Sequence, residues 1–222
     1  MPILVLDIGG VVYRSWPDEA FHPRWAERCG CDVATLTERF WAGDDWALAE
    51  LGRISQTENV RRLAARIGVS PALAREMIFE GWASRPDEIL ARFVDGLRSA
   101  GRRVAALTNS TSTETELLAR PELARLFDLA VSSADAGVQK PDDAIYRHAE
   151  ARLGAAGSDI VFVDDVEANV EAARALGWQG VWFRSTEQAI GEIAAAMEGF
   201  DHEGHKGHKG HKGHQGAPRC AR

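Results

Sequence analysis

Short apolar runs recur along the chain, and most end in a polar turn. Ile3-Leu4-Val5-Leu6, Val104-Ala105-Ala106-Leu107, Leu129–Ser132, Ile160-Val161-Phe162-Val163 and Gly180–Phe183 read as strands. Unbroken apolar runs of this length suit strands covered on both faces, as in a parallel sheet between helices. From Pro86 onward these runs alternate with helical patterns. In Asp87–Ala100, Ile89, Leu90, Phe93, Val94 and Leu97 share one face, and Gly101 stands where the helix would stop. Further helices are expected over 113–119, 143–153, 167–176 and 186–197, which makes the fold class α/β. One stretch breaks the alternation. Ser15 to Pro86 carries no second strand, only helical spacing over 18–29, 34–51, 55–67 and 70–83, with Gly30, Gly52 and Gly68 as stops and Ser70-Pro71 as a cap followed by a first-turn proline. Residues 15–85 are therefore expected as an inserted helical bundle, with 1–14 and 86–199 forming the core. Five of the seven tryptophans, Trp16, Trp25, Trp41, Trp46 and Trp82, fall in that bundle, mostly as packing.

The last stretch, 200–222, has another character. His202, His205, His208, His211 and His214 recur every third residue within Gly-His-Lys repeats too polar to pack, so a disordered tail with weak, fold-independent transition-metal binding is expected. The tail carries five Lys or Arg against two acids, which leaves −10 on residues 1–199 from a formal net of −7. So acidic a body argues against a nucleic-acid surface. No apolar run is long enough to span a membrane, and three cysteines imply no disulfide framework; a cytoplasmic enzyme, monomer or homodimer, is the expectation.

Candidate chemistry gathers at the strand ends. Asp7 closes the first strand, and Gly9 and Gly10 behind it let the backbone turn and approach an anion or a metal. Thr108-Asn109 closes the second and offers donors to an anion. Lys140 is the single lysine among 20 arginines in residues 1–199. A compact ammonium fits among phosphate and carboxylate oxygens where a planar guanidinium does not. Placed near a helix start, it opposes the helix dipole and needs a compensating anion. Asp164-Asp165 closes the fourth strand; adjacent carboxylates repel and lose hydration, and a divalent cation relieves both costs. Oxygen-only ligands point to magnesium over a transition metal.

In that order, "LVLDIGGVV", "LTNS", "QKPD" and "VFVDDVEANV" resemble the four motifs of the haloacid dehalogenase (HAD) superfamily, over roughly residues 3–183. The nearest resemblance is to its capped hydrolases of the sugar-phosphate phosphatase type. It implies a Rossmann-like parallel core with the helical bundle as a cap, and a phospho-aspartyl mechanism on small phosphorylated metabolites. Asp7 is then the nucleophile. Magnesium is held by Asp7, the main-chain carbonyl of Gly9 and Asp165, with Asp164 and Asn169 acting through bound water. Thr108 and the Asn109 backbone NH hold the phosphoryl oxygens, and Lys140 pairs with Asp7 and the phosphoryl group.

The chain departs from the pattern at Gly9, where most phosphatases of the superfamily place a second Asp as general acid and base, and at Val11, where Thr is common. Rival expectations are a 2-haloacid dehalogenase, a phosphomutase and a ligand-binding or regulatory protein on the same scaffold. Substrate selection is expected on the cap, at positions such as Trp41, Asp44, Asp45 and Trp46.

Overall fold

The computed structural model describes residues 2–14, 20–82 and 86–203. Five parallel strands form one sheet in the order β3-β2-β1-β4-β5: β1 Ile3–Leu6, β2 Val104–Thr108, β3 Leu129–Ser132, β4 Ile160–Asp164 and β5 Gln179–Trp182. The strand order reverses at β1, so a crevice opens past the carboxyl ends of β1, β2 and β4. Register sets what lines it. Leu6 pairs with Ala106 on one side and Val163 on the other, which brings Asp7 level with Leu107 and Asp164.

Both faces of the sheet are covered. Leu4, Leu6, Val104, Ala106, Val161 and Val163 face α6 (Glu88–Ser99) and α12 (Thr186–Glu203). Val5, Leu107, Ile160 and Phe162 face α10 (Asp143–Leu153) and α11 (Glu167–Ala175), where Tyr146, Phe162 and Trp178 meet edge to face. Truncating one such ring to alanine costs about 3–5 kcal/mol.

Between β1 and α6 come α1 (Phe21–Cys29), α2 (Val33–Trp41), α3 (Asp45–Glu50), α4 (Gln56–Ile67) and α5 (Pro71–Trp82). They enclose a core of their own around Phe21, Trp25, Leu36, Phe40, Leu63 and Met77. On the two sides of this insertion the core closes on itself, where Asp87 N donates to Val12 O at 2.8 Å. Polar residues start these helices: Ser70, the cap read from the sequence, accepts from Leu73 N at 3.2 Å, Asp32 from Thr35 N at 2.8 Å and Ser55 from Glu58 N at 3.2 Å.

Three boundaries differ from expectation. The helix expected over 34–51 is two, because the chain turns at Gly43 with φ 80°, a left-handed conformation that interrupts a helix. The short α7 (Glu114–Leu118) is followed by an unforeseen α8 (Pro121–Leu126) and α9 (Ser133–Ala136), each too brief to show helical periodicity. The last helix continues to Glu203, beyond the expected stop at Met197 and into the segment read as tail. Trp16, residues 204–222 and the two ends of the 15–85 insertion lie outside the described residues. Among the described residues, no helix is long and apolar enough to cross a membrane.

Candidate active site

Asp7 follows the last residue of β1 and is buried in the crevice. Its main-chain N donates to Val163 O at 2.9 Å, and its Oδ1 accepts from Ile8 N at 2.7 Å. Lys140 meets the compensating anion that its position demands twice over: Nζ lies 3.0 Å from Asp7 Oδ1 and 2.6 Å from Asp164 Oδ2. Both Lys140 and Asp164 are shut off from solvent. Asp164 also accepts from Asn169 Nδ2 at 3.0 and 3.1 Å and from Val166 N at 2.8 Å. Asn169, expected to act through water, is thus bonded directly to Asp164, and Asp164 is engaged with Lys140.

The lysine is steered from β2. Asn109 Nδ2 donates to Lys140 O at 3.0 Å, and Lys140 N donates to Asn109 Oδ1 at 2.9 Å. This paired clasp is a second role for Asn109 beyond the backbone NH that the motif suggested. Thr108, buried at the end of β2, lies beside it one residue beyond the level of Asp7.

Asp165 follows the last residue of β4 and is exposed. Its carbonyl accepts from Trp182 Nε1 at 3.0 Å. Gly10 accounts for how close it comes. A Cβ on Gly10 would lie 2.0 Å from Asp165 Oδ2, and Gly10 also holds φ 73°. The left-handed conformation falls there and not at Gly9. Asp7, Asp164 and Asp165 each place an oxygen within 4.8 Å of the others.

Three carboxylates therefore face one ammonium, and the pKa values of Asp7 and Asp165 register the imbalance. Burial pushes Asp7 up to about 6, with Lys140 pulling it down and Asp164 pushing it further up. Burial also raises Asp165, helped by Asp164. For Lys140 burial works against the charge, but Asp7 and Asp164 outweigh it and hold its pKa above the ordinary lysine value. The donors are all oxygen and negative charge is in excess, so the cluster fits a hard divalent cation.

The sequence matches the model of the haloacid dehalogenase-like hydrolases over residues 1–177. The chain belongs to this family. It is 29% identical over 169 residues to the phosphoserine phosphatase of Thermus thermophilus, covering 73% of this chain and 68% of that one. It is 27% identical over 190 residues to a drimenol cyclase of Aspergillus calidoustus, covering 83% of this chain but only 34%, about a third, of the cyclase. The fold is similar to that of a HAD family enzyme from Bacteroides thetaiotaomicron, solved in complex with magnesium and inorganic phosphate: TM-score 0.67, 19% identity, 84% of this chain and 96% of the other covered.

Of the expected site residues, the structure brings Asp7, Thr108, Asn109, Lys140, Asp164 and Asp165 to one edge of the sheet. The positions singled out in the helical insertion differ in their surroundings. Asp45 is buried and turned to Arg62 and Arg66, Asp44 is exposed, and Trp41 and Trp46 lie with ring centroids 6.1 Å apart. Trp25, by contrast, is wholly buried in the insertion's core.

Proposed function

We propose that this hydrolase is a magnesium-dependent phosphatase of small phosphomonoesters such as sugar phosphates, working through a phospho-aspartyl intermediate on Asp7. The observation that carries it is the position of Lys140 between Asp7 and Asp164 with Asp165 beside them: a cation for the nucleophile and the phosphoryl oxygens, and an acidic cluster, sharing Asp7 and Asp164, for a metal. Asp7, the carbonyl of Gly9 and Asp165 would hold magnesium. Bound there, the ion supplies Lewis-acid charge that lets one anion approach another.

The protein's own part begins with orientation. Thr108 and the Asn109 NH hold the phosphoryl oxygens, and Lys140 neutralises them while keeping Asp7 ionised. A carboxylate oxygen of Asp7 bonds to phosphorus as the ester P–O bond breaks and the leaving oxygen takes the electron pair. Water then attacks the phosphorus of the acyl phosphate, releases inorganic phosphate and restores the Asp7 carboxylate. The helices α1–α5 act as a cap that excludes folded phosphoproteins and selects the leaving group.

Magnesium-dependent phosphate release from p-nitrophenyl phosphate, lost in Asp7→Asn, tests the reading; chloride release from a 2-haloacid without phosphatase activity would overturn it. Gly9 favours a second reading, a ligand-binding protein on the same scaffold, because the position offers no proton to the leaving group. Phosphate binding without turnover in the same assay would establish that one.

A further inference from the structure

The turn behind Thr108 and Asn109 is held by a chain of serine contacts with no evident part in the chemistry. Ser110 N donates to Ser133 Oγ at 3.0 Å, Ser112 N to Ser110 Oγ at 3.0 Å, and Ser132 Oγ to Ser112 O at 2.6 Å. All four serines are buried. One bond leaves the core. Ser112 Oγ donates at 2.7 Å to Oε1 of Gln56, a buried residue in the first turn of α4, 56 residues away in sequence. Beside it the insertion touches the core a second time: Gly52, at φ 63°, lies so near α9 that a Cβ would stand 2.1 Å from Ala134 O. Ala134 N in turn donates to Ser132 Oγ at 3.2 Å. Both contacts therefore converge on the same serines.

We propose that Gln56 is a positioning residue, through which docking of the helical insertion fixes the Thr108–Ser112 turn in its phosphate-binding form. This rests on the reading of Thr108 and Asn109 as phosphoryl donors. A buried amide and hydroxyl that pair only when the insertion is seated make the two events one: undocking leaves both groups unpaired, which is costly. Gly52 permits the close seating, and Gln56 links it to the turn.

The test uses the full chain with magnesium saturating and inorganic phosphate as the probe. Gln56→Ala and Ser112→Ala are each expected to weaken phosphate binding about five- to tenfold, and the double variant no further than either single one, because they break one bond. Hydrogen exchange at the amides of residues 110–112 should speed up in each, and Gly52→Ala, which wedges the seam without touching either partner, should do the same. Additive losses, or a lowered melting temperature with unchanged phosphate affinity and unchanged exchange, would overturn the proposal. A wild type that binds no phosphate would refute the phosphatase reading instead, and exchange at 110–112 would still decide whether Gln56 orders the turn.

Discussion

Asp7 at the sheet edge and Asp45 in the helical insertion are both buried carboxylates beside cations, yet their pKa values move in opposite directions. For Asp45, burial pushes upward, but hydrogen bonds from Arg66 and Arg62 outweigh it and hold the carboxyl below its usual range. One acid there meets two guanidinium groups. At the sheet edge one ammonium must serve Asp7 and Asp164, with Asp165 adjacent, and burial wins. The difference teaches what each cluster is for. The insertion gives its buried acid cations in excess and gains structure from the pairing. The sheet edge keeps an unbalanced negative charge, which costs stability and leaves room for a cation and a reacting group.

Neutralising each acid in turn gives the largest contrast. Asp7→Asn is expected to lower magnesium-dependent hydrolysis of p-nitrophenyl phosphate by on the order of 10⁴-fold or more, since the proposed mechanism needs the anionic carboxylate that the amide replaces. Asp45→Asn should leave kcat/KM within about twofold and cost about 1–2 kcal/mol of stability by weakening the pairing with Arg62 and Arg66. A kinetic loss of similar size in both would mean that the insertion's charge pair takes part in the chemistry.

The glycines sharpen the same comparison. Gly10 and Gly43 both hold left-handed φ, 73° and 80°. Only Gly10 meets a functional group at once: the added methyl of Gly10→Ala would occupy the place of the Asp165 carboxylate. Magnesium affinity, read by titrating activity against metal, should fall at least about tenfold, a coupling of the size seen when groups that orient a metal ligand are disturbed. Gly43→Ala, with Arg66 Nη1 at 3.4 Å from the added carbon, should cost only the about 1–2 kcal/mol of a left-handed alanine.

Acidity separates the clusters more gently. Asp7 has a folded pKa near 6 against 3.8 for an ordinary aspartate, so its contribution to the stability of the metal-free protein is whole below about pH 4 and is lost as pH rises through about 6. Asp45 has a lowered pKa, so its contribution is present above the ordinary value and is lost as pH falls through the depressed one. Without metal, Asp7→Asn should therefore melt above wild type at pH 7.5, by a few degrees at about 2–4 °C per kcal/mol, with a smaller difference at pH 5. Asp45→Asn should melt below wild type at both. An Asp7→Asn protein less stable at pH 7.5 than wild type would show that Lys140 fully compensates the crowded acids.

These contrasts also mark what a sequence can carry. Asp7, Thr108 and Asp164-Asp165 were legible because each ends an apolar strand, and parallel strands deliver their ends to one edge. Lys140 was legible by rarity. The clasp of Asn109 on Lys140 was not, since it joins two loops 31 residues apart and any Asn at a strand end reads as a turn former. The break at Gly43 was missed because an isolated glycine inside a helical pattern is often tolerated. Gln56 gave no signal, because its position reads as an ordinary first-turn helix residue and its meaning lies wholly in the Ser112 hydroxyl across the seam.

The smallest expected effect concerns Gly9, where the motif resemblance leads one to expect an acid. Gly9 offers no proton, so the leaving oxygen departs with its charge, and the rate should depend steeply on leaving-group pKa: aryl and anomeric phosphates good, simple alkyl phosphates poor. Gly9 is not held in the left-handed region, so its φ does not disfavour a side chain, and its carbonyl would remain available to a metal. Gly9→Asp should then speed alkyl monoesters over p-nitrophenyl phosphate by about tenfold, a fraction of the about 10²–10⁴ that a fully positioned general acid contributes. The measurement is the slope of log(kcat/KM) against leaving-group pKa for both proteins with magnesium saturating. A wild-type slope already near zero, with chemistry shown to be rate-limiting, would place the proton donor elsewhere, and the helical insertion would be the region to search.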